Sequence, residues 1–299
     1  MSEEFKNDLN TRLDLKNIRM KEVQYFKKKL FGAIRKLHIR SLVSISLIGS
    51  FQYSKKFEAV NDIDFIVLVK KLTPSLYKEI NTKFQYLAWD LSTPKLSIII
   101  EKRIGPLKPQ PVKGKILVQL HLLIYDIYGW KHKDFPTSTL DWTNFSVSLF
   151  GKPLSSIRKI RRFNKNALLY DLNTNLVNIR TGTAYSKILV IRDNRLVVEK
   201  RALRLSQNER DEGILYNIIT SIVNYLRYFD PTLRKDELLI LRRAKKYLSR
   251  PYYHTVKHAF QLKKKIRSGY QLTKKQSSQL KSDGKSFVKY LLEKVHELP

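Results

Sequence analysis

Hydrophobic positions in the first third of the chain change period repeatedly, and each change marks an element. Val23, Phe26, Leu30, Ile34 and Leu37 recur at helical spacing, with Lys27, Lys28, Arg35 and Lys36 mostly elsewhere on the wheel. This predicts an amphipathic helix over 15–38. Leu42 to Ile48 is short and carries β-branched residues, which suits a strand that stops at Gly49-Ser50. A polar stretch ends at Asn61. From Asp62 to Val69 the chain opens on two acids and turns apolar, predicting a second, more buried strand. Pro74 stands at a good first helical position for a segment running to about Leu91. Leu96 to Glu101 and Lys115 to Tyr125 read as a third and a fourth strand, separated by breaks at Gly105-Pro106 and Pro109 to Pro111. This order predicts a mixed α/β or α+β domain.

Farther along, Asn144 to Phe150 reads as a short strand ending at Gly151-Lys152-Pro153-Leu154. A basic segment follows, with Arg158, Lys159, Arg161, Arg162 and Lys165. Lys187 to Arg192 and Arg195 to Lys200 flank Asp193-Asn194 and predict a β-hairpin. Ser206 and Glu209 form a capping box at the start of a helix, whose buried face is Leu215, Ile218, Ile219, Ile222, Val223 and Leu226. Further helical patterns near 235–248, 254–267 and 273–296 are separated by Pro251 and Gly269, and predict a C-terminal bundle. Tyr252-Tyr253-His254 then falls in a loop after Pro251, open to packing or to stacking on a base. The expected organisation is 1–155, a connecting segment with the hairpin over 156–205, and a helical domain over 206–299.

Composition narrows the function. A formal charge of +32, from 58 Lys and Arg against 26 acids, gives a field that attracts polyanions, and RNA or DNA is the natural partner. The alternative is a solvated lysine-rich surface. Cysteine is absent, which excludes disulfides, Cys-ligated zinc and a thiol nucleophile. No apolar run is long enough for a transmembrane helix, and the polar, acidic start at Ser2-Glu3-Glu4 does not resemble a secretory signal. The expectation is a cytoplasmic protein without a membrane partner. The glycines form no P-loop and no dinucleotide fingerprint, and no Gly-x-Ser-x-Gly elbow is present.

The chemistry gathers in one segment. Ile48-Gly49-Ser50 is followed, eleven residues later, by Asp62-Ile63-Asp64 opening an apolar strand. Residues two apart on a strand share a face, so the two carboxylates project side by side. A divalent cation relieves their repulsion, and magnesium takes hard oxygen ligands while keeping sites for waters and phosphates. A Gly-Ser turn lets backbone amides approach a phosphate closely. Together these residues point to phosphoryl transfer.

On these residues the sequence resembles the DNA polymerase β-like nucleotidyltransferase superfamily, over roughly residues 15 to 155. The match includes Leu149-Phe150-Gly151-Lys152-Pro153-Leu154, similar to a stretch of antibiotic and minimal nucleotidyltransferases. The resemblance implies an α+β fold, with a mixed sheet and flanking helices followed by a helical bundle. It implies transfer of a nucleoside monophosphate from a nucleoside triphosphate to an acceptor hydroxyl. Gly49 and Ser50 would bind the triphosphate, and Asp62 and Asp64 would hold Mg2+ or Mn2+. The charge favours RNA, of a tRNA-like kind, as acceptor, and makes Arg158, Lys159, Arg161, Arg162 and Lys165 candidate phosphate contacts.

The family usually adds a third carboxylate from a neighbouring strand, expected here near 118–121. The sequence offers Gln119 and His121 instead. Three readings follow. Glu101 supplies the acid, His121 replaces it as base or ligand, or the site has lost turnover and the fold serves as a nucleic-acid- or partner-binding module. A toxin that nucleotidylates a tRNA or protein target is a further alternative.

Overall fold

The computed structural model describes residues 20–53, 62–94, 96–101, 103–104, 116–132, 142–158, 164–182, 185–203, 205–267 and 269–298. Contacts divide the chain into two compact units. The first comprises 1–134, 141–159 and 187–200, and the second 135–140, 160–186 and 201–299.

The first unit is built on a five-stranded mixed sheet in the order β3-β5-β2-β1-β6. Its strands are β1 (Leu42–Ile48), β2 (Asp62–Val69), β3 (Leu96–Glu101), β5 (Ile116–Asp126) and β6 (Val147–Gly151). β1 runs antiparallel to β2 and β6, while β5 runs parallel to β2 and β3. Two helices, α1 (Met20–Arg35) and α2 (Pro74–Leu91), cover one face. Thr73 caps α2 through a bond from the Leu76 amide, and Pro74 sits at its first turn as predicted.

Strand alternation sorts the side chains. Ile45, Leu47, Ile63, Phe65, Val67, Leu120 and Leu122 point into the core with Phe26, Leu30, Ile34 and Phe84 of the helices. Each such burial contributes roughly 1.5–3 kcal/mol. The opposite face carries Asp62, Asp64, Gln119, His121 and Glu101 at one end. Toward the other end it carries Ile66, Leu68 and Leu123, all buried. A short helix, α3 (Ile127–His132), follows β5, and its fully buried Trp130 packs on Tyr125 at 5.6 Å between ring centroids.

A second sheet joins β4 (Arg103–Ile104) to the hairpin β7 (Tyr185–Arg192) and β8 (Arg195–Ala202). The hairpin was expected. Asp193 and Asn194 both take positive φ, as a two-residue turn of the strand-matching hand requires.

The second unit is helical: α4 (Lys165–Thr181), α5 (Gln207–Phe229), α6 (Glu237–Tyr247), α7 (Arg250–Arg267) and α8 (Lys274–His296). α5 is central, packed on α4, α6, α7 and α8, and it begins at the predicted Ser206–Glu209 capping box. The segment 156–205 is shared between the units rather than standing alone. Most of the hairpin belongs with the sheet, while α4 belongs with the helices. Tyr252 and Tyr253 lie inside α7, not in a loop. Tyr252 stacks on Tyr290 at 4.0 Å and lies 6.2 Å from Phe287, so its ring serves packing. No described helix is long and apolar enough to cross a membrane.

Candidate active site

The glycine turn is held from below. Phe51 is fully buried and meets Phe26 edge-on at 6.3 Å. The Lys27 ammonium lies over the Phe51 ring at 4.9 Å and donates to the Gln52 carbonyl at 3.1 Å. Burial holds the Lys27 pKa below its ordinary value. The Gln52 amide returns to the Leu47 carbonyl at 3.2 Å. The turn Ser50–Tyr53 is thereby fixed at the end of β1.

Gly49 has φ +78°, and a Cβ placed on it would lie 2.5 Å from Asp64 Oδ2. Backbone hand and space therefore both demand glycine there. Pairing of Ile48 with Asp64 across β1 and β2 sets this contact. Gly151, in the Leu149–Leu154 motif, has a similar geometric cause. Its φ is +70°, and a Cβ would meet the Val43 carbonyl oxygen at 2.0 Å, where β6 pairs with β1.

Parallel pairing brings the remaining polar groups together. Asp62 pairs with Gln119, Asp64 with His121, and Glu101 with His121. Glu101, His121 and Asp64 thus form a row across three adjacent strands, with the imidazole between the two acids. His121 Nδ1 lies 2.8 Å from Asp64 Oδ1. Its Nε2 is buried without a hydrogen-bond partner among the described residues. Burial by itself lowers the imidazole pKa. The hydrogen bond to Asp64 and the charges of Asp64, Asp62 and Glu101 outweigh it, and the net shift is upward from 6.5. His121 therefore stands opposite Asp64 on the strand from which a third acid was expected. Glu101 is one strand farther away. Asp126 lies at the far end of β5, where its carboxylate accepts from the Gly129 amide at 2.6 Å and serves the start of α3.

The other sequence candidates fare unevenly. Ser50 opens the turn after Gly49. Arg158 donates to the Trp130 carbonyl at 2.9 Å. Lys165 bonds the carbonyls of His296 and Leu298 at the end of α8, so both cations have structural partners. Lys159, Arg161 and Arg162 lie outside the described residues. A recess of about 490 Å3 between α2 and β7, lined by Tyr77, Asn81 and Ile188 among others, shares no residue with the carboxylate face.

Among the described residues, no three His, Asp or Glu side chains are grouped to cage a metal. The donor set still fits magnesium, which is commonly held by one or two carboxylates and completes its shell with waters and substrate phosphates. No protein-family model matches the chain, and no curated protein matches it.

Proposed function

We propose that this protein is a metal-dependent nucleotidyltransferase that moves a nucleoside monophosphate from a nucleoside triphosphate to an acceptor hydroxyl, with RNA as acceptor. The observation that carries this reading is the fit of Gly49 against Asp64, with Asp62 on the same strand face and His121 hydrogen-bonded to Asp64. Glycine takes this left-handed conformation without strain, and its missing Cβ lets the turn lie directly against the Asp64 carboxylate.

In this reading the Gly49-Ser50 turn lets the triphosphate approach the backbone, and Asp62 and Asp64 hold Mg2+ or Mn2+. A bound divalent ion would supply charge neutralisation on the phosphates and acidify the acceptor hydroxyl. His121 orients Asp64 through Nδ1 and restrains its rotation. Glu101, beyond His121, adds negative potential to the row. A second reading keeps the fold for binding without turnover, and His121 at the position expected for a third carboxylate favours it.

The test is label transfer. Triphosphates labelled at the α-phosphate are incubated with magnesium and total RNA. The enzyme reading predicts labelled RNA with wild type and a loss of about 1000-fold in Asp62→Asn/Asp64→Asn, since lost metal coordination removes several kcal/mol of transition-state stabilisation. No transfer by wild type, with RNA binding intact, supports the binding-only reading.

A further inference from the structure

We infer that the exposed face of the α6–α7 helix pair is a docking surface for the phosphate backbone of RNA. The choice of RNA over DNA rests on the acceptor reading above. The surface itself rests on different residues, in the helical unit.

No Asp or Glu occurs between Glu237 and Asp283, in a chain that carries 26 acids overall. All of α7 and most of α6 fall in this stretch. On α7, Arg250, His254, Lys257 and His258 are exposed on one side. Val256, Ala259, Phe260 and Leu262 are buried on the other. These spacings of three, four and seven residues keep the basic groups on a single helical face. On α6, Arg242, Lys245 and Lys246 are likewise exposed.

Only Leu248 and Ser249 join the two helices, so they run antiparallel as neighbours. The ion pair of Lys264 with Glu237 at 2.8 Å ties the far end of α7 to the start of α6. Arg243 is similarly held by Asp230 at 3.3 Å. Glu237 and the nearby Asp230 are thus engaged with Lys264 and Arg243, Asp283 accepts from the Gln279 amide at 2.7 Å, and no described acid pairs with Arg242, Arg250 or Lys257. Like charges at helical spacing repel, at a few tenths of a kcal/mol per pair. A polyanion with regularly spaced phosphates relieves that repulsion and releases counterions.

A bilayer is the competing anionic surface. Membrane-surface helices present a wide exposed apolar face beside the basic one. The apolar face of α7 is spent inside the bundle, so the observations favour RNA.

The experiment uses the full chain and fluorescently labelled unfractionated tRNA, with anisotropy read across a salt series. Arg242→Gln/Arg250→Gln/Lys257→Gln is compared with Lys70→Gln/Lys71→Gln/Lys78→Gln, which removes the same charge from exposed positions of the other unit. The docking surface predicts at least a tenfold loss of affinity for the helical variant only. It also predicts a salt dependence shallower by about two to three in log–log slope. Equal losses in both variants would overturn the proposal, leaving a general basic field. So would unchanged RNA binding in the helical variant, or losses confined to phosphatidylserine vesicles. Circular dichroism verifies that the helices persist. The same titration on Asp62→Asn/Asp64→Asn separates the two proposals. Binding there depends on the helix pair whether or not label transfer occurs.

Discussion

Both units place polar groups on element faces, and they treat them differently. In the helical unit, buried and half-buried polar side chains meet across the α4–α5 seam: Asn175 donates to Ser221 at 2.9 Å, Asn178 to Asn217 at 3.4 Å, and Asn224 to Asp171 at 3.4 Å. Asp211, with no solvent exposure, accepts from Ser277 at 2.7 Å and Gln207 at 3.0 Å. These groups are spent on one another and fix how the helices register. On the sheet, acids of β2 and β3 flank an imidazole with one nitrogen engaged and the other buried without a described partner. Gathering like charges on one face raises the energy of the fold unless something binds there. The helical seam satisfies its own polar groups, whereas on the sheet His121 Nε2 stays buried without a described partner.

Three experiments can break this comparison. The largest effect on the folded state is expected from Gly49→Ala. Left-handed backbone and the contact with Asp64 together cost about 2–4 kcal/mol. Urea denaturation measures it. A neutral result would mean that the turn and Asp64 are not held together as described.

Asp211→Ala ranks next. It strips partners from Ser277 and Gln207 and should cost about 1–3 kcal/mol of stability, while leaving the proposed label transfer untouched. Loss of label transfer by the folded variant would blur the contrast between the units.

The smallest effect is a pH dependence. The folded-state pKa of His121 is raised, so its contribution to stability is fully present below the unfolded value near 6.5. That contribution is lost as pH rises through the higher folded value. In EDTA, the urea midpoint of wild type should fall between pH 6 and pH 9 by a component that His121→Gln lacks. Parallel profiles for the two proteins would show that the imidazole is not held as described.

Much of the fold was legible because its signals are local. β1, β2, α2, the Asp193-Asn194 hairpin and the Ser206 capping box all lie where the chain's own pattern puts them. Helix α4 went unread because Asp171 and Asn175 interrupt its apolar stripe of Leu168, Leu172, Leu176 and Ile179, and their partners lie on α5. On sequence Pro251 reads as a break, which puts Tyr252 and Tyr253 in a loop. A proline in the first turn costs a helix little. At the site, the Asp62–Asp64 spacing and the Gly49-Ser50 turn were visible in the sequence. His121 stands among the sequence candidates, but its hydrogen bond to Asp64 is not legible there, because it depends on the parallel register of β2 with β5 and joins residues 57 apart. Two of the basic residues, Arg158 and Lys165, gave no sign that carbonyls at helix ends would take them.

The contrast between the half-buried carboxylates of β2 and the buried Asp211 is tested most directly by following α-phosphate label into RNA with three proteins side by side: wild type, Asp62→Asn/Asp64→Asn and Asp211→Ala. Magnesium-dependent transfer by wild type and Asp211→Ala, abolished in the double variant, is the predicted result. Transfer that survives loss of both β2 acids would contradict it.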